Sequence, residues 1–444
     1  MIRRPISWGR LAAAGSLVAI ALAALAVLLL HPAGSPSREG VQSPVRPRRV
    51  HVTPTEMPHQ QLSKATQRRI HRIEVQTMGL RHLKQLRSVR VEFLGNRAFN
   101  HFIAGTYKQA NSNSQLHIAD VEDVMLGLIS PRLNLAKVVT GGLTSQVVGL
   151  YDKHRKVLFI RNTGRALTVN RWVIAHEFTH ALQDQHFGLS KVEPDQSHWK
   201  LKNSDAELAQ HSLIEGDAVN IQYTYARTFY DPQDLAALNR EIGSVGPSHV
   251  PAIIEQQFQF PYQEGLLYVY HLLQSGGFSR DDQAFRHPPN STFEVMFPGQ
   301  NVVPANPRIS KLGGSFKPWK RRDDDVIGAF GYYQLVERWE SRARANQLAS
   351  LWRGDRYLLL YRRGHYAMYL DASFGTSRSA RVAASILESA VAKRFHHRLA
   401  HFHGGVWTGA HGTYVAARIS GHKVFMAYAP AASIARSMVV ATAG

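Results

Sequence analysis

In VIAHEFTHALQDQHF, residues 173–187, two histidines stand four apart and a glutamate follows the first. Positions i and i+4 share one face of a helix. His176 and His180 can therefore aim two imidazole nitrogens at one ion, at the ~2.0–2.1 Å that zinc takes. Glu177 sits about 100° further round the helix, where it reaches a water on the metal without binding the metal itself. Zinc hydrolysis needs that division of labour, because the ion acidifies a water and a carboxylate takes its proton. Asp184 lies four beyond His180, on the ligand face. It either accepts a histidine N–H and fixes the tautomer or is a solvated helix residue.

Two histidines do not complete such a site, since a catalytic zinc usually takes three protein ligands and a water. The third is sought in AELAQHSLIEGDAVNIQ, 206–222. Glu215 stands there among Leu208, Leu213, Ile214, Val219 and Ile221. A carboxylate buried in that company needs a partner, and a metal would serve; the alternative is a surface acid at a helix bend. Gly216 costs about 1 kcal/mol inside a helix, which a close helix–helix approach would justify. His211, one turn before Glu215, is the rival third ligand. An oxyanion formed in hydrolysis also needs a donor. Tyr262, Tyr268, Tyr270 and His271 are candidates, or else core aromatics.

The elements that must position these groups are legible by pattern. QVVGLYD (146–152) and KVLFIRN (156–162) read as a hairpin. KVLFIRN is also a candidate edge for holding a substrate backbone. VRVEFLG (89–95) alternates like a strand and DVEDVMLGLI (120–129) reads as a helix. The motif helix should start near Asn170, and a second long helix should run from about Asp205 to Tyr230. The tail from Val406 reads as a closing hairpin, and the region between is mixed, with loop signals at RHPPNST and PGQNVVPANP. HHRLAHFHGG (396–405) lacks a carboxylate and reads as a surface or packing segment.

With 444 residues, 44% of them hydrophobic, the chain can bury a sizeable core. It has no cysteine, which excludes disulfides, cysteine-ligated metal and thiol catalysis. The net charge of +21 comes in short clusters without a nucleic-acid motif. It implies a generally basic surface or contact with anionic lipid or a cell-surface polymer, rather than sequence-specific nucleic-acid binding. Arg3, Arg4 and Arg10 precede an uncharged run from Leu11 to Leu30, long enough to cross a hydrocarbon core of roughly 30 Å. The cleavage context Ala33-Gly34-Ser35-Pro36 is poor. The expectation is a single-pass membrane anchor over 1–30, a Pro/Ser/Arg-rich tether over 31–62, and an extracytoplasmic body over 63–444 with its core at 120–230 and a mixed part at 231–444. The alternative is a removed signal and a secreted body.

LGLISPRLNLAKVVTGGLTSQVVGLYDKHRKVLFIRN, then HEFTHALQDQHFGL, then LIEGDA resembles a bacterial family of membrane-anchored or exported gluzincin-type zinc metallopeptidases. Its members carry a hairpin beginning near Gly-x-Tyr-Asp, then HExxHALQDQHF, then a glutamate in EGDA. The match is close over about residues 124–222 and continues weakly through PPNSTFEVMFP and LWRGDRYLLLYR. The resemblance implies an α+β, zincin-like catalytic domain, zinc on His176, His180 and Glu215, Glu177 as general base, and a peptide or protein substrate. Thermolysin-like members place an acid four residues after the ligand glutamate. That position is Val219 here, which leaves the supporting role to Asp217 or Asp184. Two other readings keep the same residues: a zinc hydrolase of a non-peptide substrate, and a catalytically silent surface binding protein.

Overall fold

A computed structural model describes residues 62–110, 113–162, 167–195, 201–243, 250–300, 302–307, 309, 318–395, 406–408 and 412–441. Helix α1 (Lys64–Arg81) opens it, with Ser63 Oγ accepting from the Thr66 N–H as its N-cap. Strand β1 (Arg90–Gly95) and helices α2 (Asn96–Ala110), α3 (Asn113–Leu126) and α4 (Leu135–Gln146) follow. The hairpin β2 (Gly149–Asp152) and β3 (Val157–Asn162) then leads into α5 (Leu167–Phe187), which carries the motif. After the short α6 (Leu189–Val192) come α7 (Ser204–Phe229), α8 (Pro232–Gly243), α9 (Ala252–Arg286) and α10 (Thr292–Met296).

Helix α5 is buried on every side from Trp172 to Asp184, and α7 from Ser204 to Gln222. Both are core helices rather than amphipathic surface ones. Asn203 caps α7 by accepting from the Ala206 N–H, and Glu207 stands in its first turn, where a carboxylate suits the helix dipole. The long α9 packs along α7 across a glycine pair. A Cβ on Gly216 would lie 2.2 Å from the Gly265 carbonyl oxygen, and one on Gly265 would lie 2.2 Å from that of Ser212. The close approach expected of Gly216 is present.

The three-stranded sheet runs in the order β1-β3-β2, with β1 parallel and β2 antiparallel to β3. The hairpin is therefore as expected, but β3 is the central strand. With both edges hydrogen-bonded, KVLFIRN cannot receive a peptide by strand addition.

The C-terminal half builds an antiparallel six-stranded sheet, order β4-β5-β6-β9-β8-β7. Its strands are β4 (Lys320–Asp325), β5 (Asp355–Arg362), β6 (His365–Ser373), β7 (Val406–Thr408), β8 (Tyr414–Ser420) and β9 (Lys423–Ala429). Helices α11 (Gly328–Glu337), α12 (Arg342–Leu351) and α13 (Ser377–Phe395) pack with the Tyr357, Leu359, Met368 and Leu370 face. Helix α14 (Ala432–Ala441) covers the Leu358, Leu360, Ala367 and Tyr369 face. The expected closing hairpin is β8–β9.

Two expectations are corrected. The chain is α+β, but not a zincin-like domain behind a membrane helix: the motif helix lies among α1, α7 and α9, backed by a small mixed sheet, while the larger sheet is a separate antiparallel layer. A short motif fixes one helix and says nothing about the strand order around it. The single-pass membrane localisation is corrected as well, because no helix among the described residues is long and apolar enough to cross a membrane. The run Leu11–Leu30, the tether up to residue 61 and HHRLAHFHGG lie outside the described residues.

Candidate metal centre

One turn of α5 and the middle of α7 bring three ligand atoms together. His180 Nε2 lies 3.1 Å from His176 Nε2, and Glu215 Oε2 lies 3.2 Å from His176 Nε2 and 3.4 Å from His180 Nε2. Tetrahedral ligands at ~2.0–2.1 Å from zinc stand about 3.3–3.4 Å apart, so the triangle fits one face of such a site. His176, His180 and Glu215 form a buried group able to hold a metal ion. All three, with Glu177, are at most 2% exposed.

The tautomers follow from the neighbours. Gln183 Nε2 donates to the Ile214 carbonyl (3.0 Å) and to Asp217 Oδ2 (2.9 Å), so its Oε1 faces His180 Nδ1 at 2.9 Å and accepts the proton there. In the neutral ring, the form that binds a metal, His180 Nε2 then has its lone pair toward the triangle. Glu215 turns its other oxygen, Oε1, toward His211 Nε2 at 3.5 Å. His211 Nδ1 faces Glu193 Oε1 at 3.3 Å, and Lys153 approaches Glu193 Oε2 at 3.3 Å. His211 thus stands behind Glu215 and not in the triangle, which decides between the two candidate ligands. Burial alone would raise the Glu215 carboxyl, yet positive charge on the His180 ring, itself pushed up to about 9 chiefly by Glu215 against burial, and hydrogen bonds from His176 and His180 outweigh it and hold Glu215 well below the usual carboxylate range. Among the described residues no Lys or Arg pairs with Glu215, so its charge is balanced by ring protons or by a metal cation that takes their place.

Glu177 lies beside the triangle. Its Oε2 accepts the Tyr151 backbone N–H at 2.8 Å, and burial pushes its carboxyl up. Strand β2 comes this close because residue 149 is glycine: a Cβ there would lie 2.5 Å from Val173 Cγ1 and 2.9 Å from Glu177 Cγ.

The two supporting acids take different places. Asp184 does not meet a histidine: it accepts from Tyr151 Oη (2.8 Å), from the Leu189 N–H (3.2 Å) and from Lys156 Nζ, tying α5 to the hairpin. Asp217 stands one step back, behind Gln183. Of the oxyanion candidates, Tyr262 stacks beside His176, ring centroids 6.4 Å apart at 24°. Tyr268 packs in the core and Tyr270 is 36% exposed. Gln183, Tyr151 and Glu193 were missed in the sequence. For Tyr151 a signal existed, because Gly149-Leu150-Tyr151-Asp152 is the Gly-x-Tyr-Asp of the resemblance.

No protein-family model and no curated protein matches the chain. A solved structure from Chloroflexus aurantiacus, provisionally called a hydrolase with a novel fold, is similar at 15% identity and a TM-score of 0.36, over 52% of this chain and 86% of that one.

Proposed function

We propose that this chain is a zinc-dependent hydrolase that cleaves peptide bonds, with His176, His180 and Glu215 as ligands and Glu177 as general base. The observation that carries the reading is the convergence of two imidazole nitrogens and one carboxylate oxygen at tetrahedral spacing, with a further buried carboxylate at the next residue. Zinc held there would supply the Lewis acidity that makes a water a nucleophile near neutral pH. The chain's own groups do the rest. Gln183 keeps His180 in the ligating tautomer, His211 backs Glu215, and the Tyr151 N–H fixes the rotation of Glu177. Burial raises Glu177 toward the range where a base is effective. The choice of peptide over another substrate is supported by the likeness of HEFTHALQDQHF and EGDA to a metallopeptidase family.

The depth of the group favours a second reading, a structural zinc that staples α5 to α7. One variant separates the two. Glu177→Gln keeps zinc and fold in either case; the hydrolase reading predicts that it loses about 10²–10⁴-fold of peptidase rate, measured with zinc content on one sample. Undiminished peptidase activity in Glu177→Gln would remove the general-base role. A wild-type chain that holds zinc, melts lower on chelation and cleaves nothing would establish the staple.

A further inference from the structure

Arg81 is fully buried at the C-terminal end of α1. Its Nε donates to Asp217 Oδ2 at 2.8 Å, and its Nη2 donates to Asp281 Oδ2 at 2.7 Å and Asp282 Oδ1 at 2.8 Å. The same Asp217 oxygen accepts from Gln183 Nε2, and Gln183 Oε1 faces His180 Nδ1. We propose that Arg81 is a positioning residue for the metal centre, acting on His180 through Asp217 and Gln183; this rests on the metal reading above.

Gln183 carries an amide that can flip. If Gln183 pointed its NH₂ at His180, Nδ1 would have to accept and the ring proton would move to Nε2, which would then have no lone pair for a metal. Ile214 O and Asp217 Oδ2 offer acceptors only, and together they hold the NH₂ end away from the ring. The Ile214 carbonyl is fixed by its helix. Asp217 is a side chain, and Arg81 holds it in place while anchoring to α9 through Asp281 and Asp282. Arginine suits this role because its planar fork serves several carboxylates at once. The N-terminal helix is thereby wired to the ligating tautomer of a histidine far along the chain.

The experiment is a Zn²⁺ titration against a chromophoric chelator for the wild type, Arg81→Met, Gln183→Met and the double variant, with Asp184→Asn as control. Gln183→Met should weaken zinc about 10–100-fold. Arg81→Met should weaken it roughly fivefold to tenfold, and should add nothing once Gln183 is gone. Asp184→Asn removes a buried carboxylate off the route, bonded to Tyr151, Lys156 and the Leu189 N–H, so it should lower the melting temperature and leave zinc affinity within about twofold. If Arg81→Met does not fold, Asp217→Asn tests the same link with the same expected weakening. Wild-type affinity in Arg81→Met, or an equal loss in both backgrounds, overturns the proposal. A wild type that takes no zinc would instead overturn the metal reading. The His180 tautomer, read from ¹⁵N shifts of the zinc-free chain at a pH where the ring is neutral, then decides the Arg81 link: a change in Arg81→Met supports it and no change overturns it.

Discussion

Helix α7 buries carboxylates at two places and satisfies them in opposite ways. At its start, Asp205 joins Glu122, Asp323, Asp324, Asp325 and Asp355, all at most 8% exposed. Cations and backbone donors answer most of them. Lys202 meets Asp323, Arg356 meets Asp324, the Ser204 N–H meets Asp325 at 2.9 Å, and the Ile327 and Gly328 N–H groups meet Asp355 at 2.9 Å. Burial and neighbouring acids still raise two of them: Asp205 to about 8 and, despite Lys202, Asp323 to about 7. Three turns on, Glu215 has no Lys or Arg and is nonetheless held ionised by imidazoles. The first place is closed by the protein's own groups, whereas the second gathers lone pairs around a point. Buried acid alone therefore does not mark a metal site; convergent nitrogens do.

The largest expected effect breaks the second place. Glu215→Ala should cost on the order of a hundredfold to a thousandfold in zinc affinity, whereas His211→Ala should cost about tenfold, because it only backs the ligand. A chelator-competition titration of both variants checks the ranking, and the reverse order would make His211 the ligand. Next, Gly216→Ala should lower stability by about 3 kcal/mol or more, since its Cβ would meet the Gly265 backbone. A stability from urea unfolding within about 0.5 kcal/mol of the wild type, the scatter of surface changes, would mean that the two helices can separate.

The first place should show itself in pH. Asp205 has a folded pKa raised, chiefly by burial, to about 8, against about 3.9 for an ordinary aspartate. Its folded form keeps a proton that the unfolded form releases, so its contribution is full below about pH 4 and is lost as pH rises through about 8. Asp205→Asn is neutral throughout and keeps an oxygen for Thr292. It should flatten the fall in stability between pH 5 and pH 8, by at most about 1.4 kcal/mol per pH unit. Urea midpoints across that range decide it, and parallel curves for wild type and variant would refute the assignment. The smallest effect is at Asp184. Asp184→Asn should change zinc affinity less than about twofold, because its partners are Tyr151, Lys156 and Leu189 rather than a ligand. A tenfold loss in the same titration would return it to the histidines.

Legibility followed range. The i, i+4 histidines, the helix around Glu215, the β2–β3 and β8–β9 hairpins and the Gly216 crossing all rest on spacing or local turn chemistry, and all are present. What failed depends on distant pairing. Strand β3 became central because β1, far upstream, pairs with it in parallel. Strands β5 and β6 are covered on both faces, so their apolar runs lack the alternation that marks a strand with one solvated face. Helix α9 continues through Pro261 and a kink at Gly276-Gly277, residues that disfavour a helix interior. The zincin-like fold and the membrane localisation were extrapolated from a motif and an N-terminal run, and the described architecture corrects both. Gln183 was invisible because an amide beside a histidine has no periodic signature, and Arg81 because its link to the site exists only in three dimensions.

The central claim is that two imidazoles and one carboxylate bind zinc, and X-ray absorption on the zinc-loaded wild-type chain tests it most directly. The account predicts one tightly held ion with an N/O shell at ~2.0–2.1 Å and the multiple-scattering signature of two imidazoles. A shell fitted by three imidazoles would put His211 in place of Glu215, and a chain that retains no zinc after gel filtration would contradict the metal centre altogether.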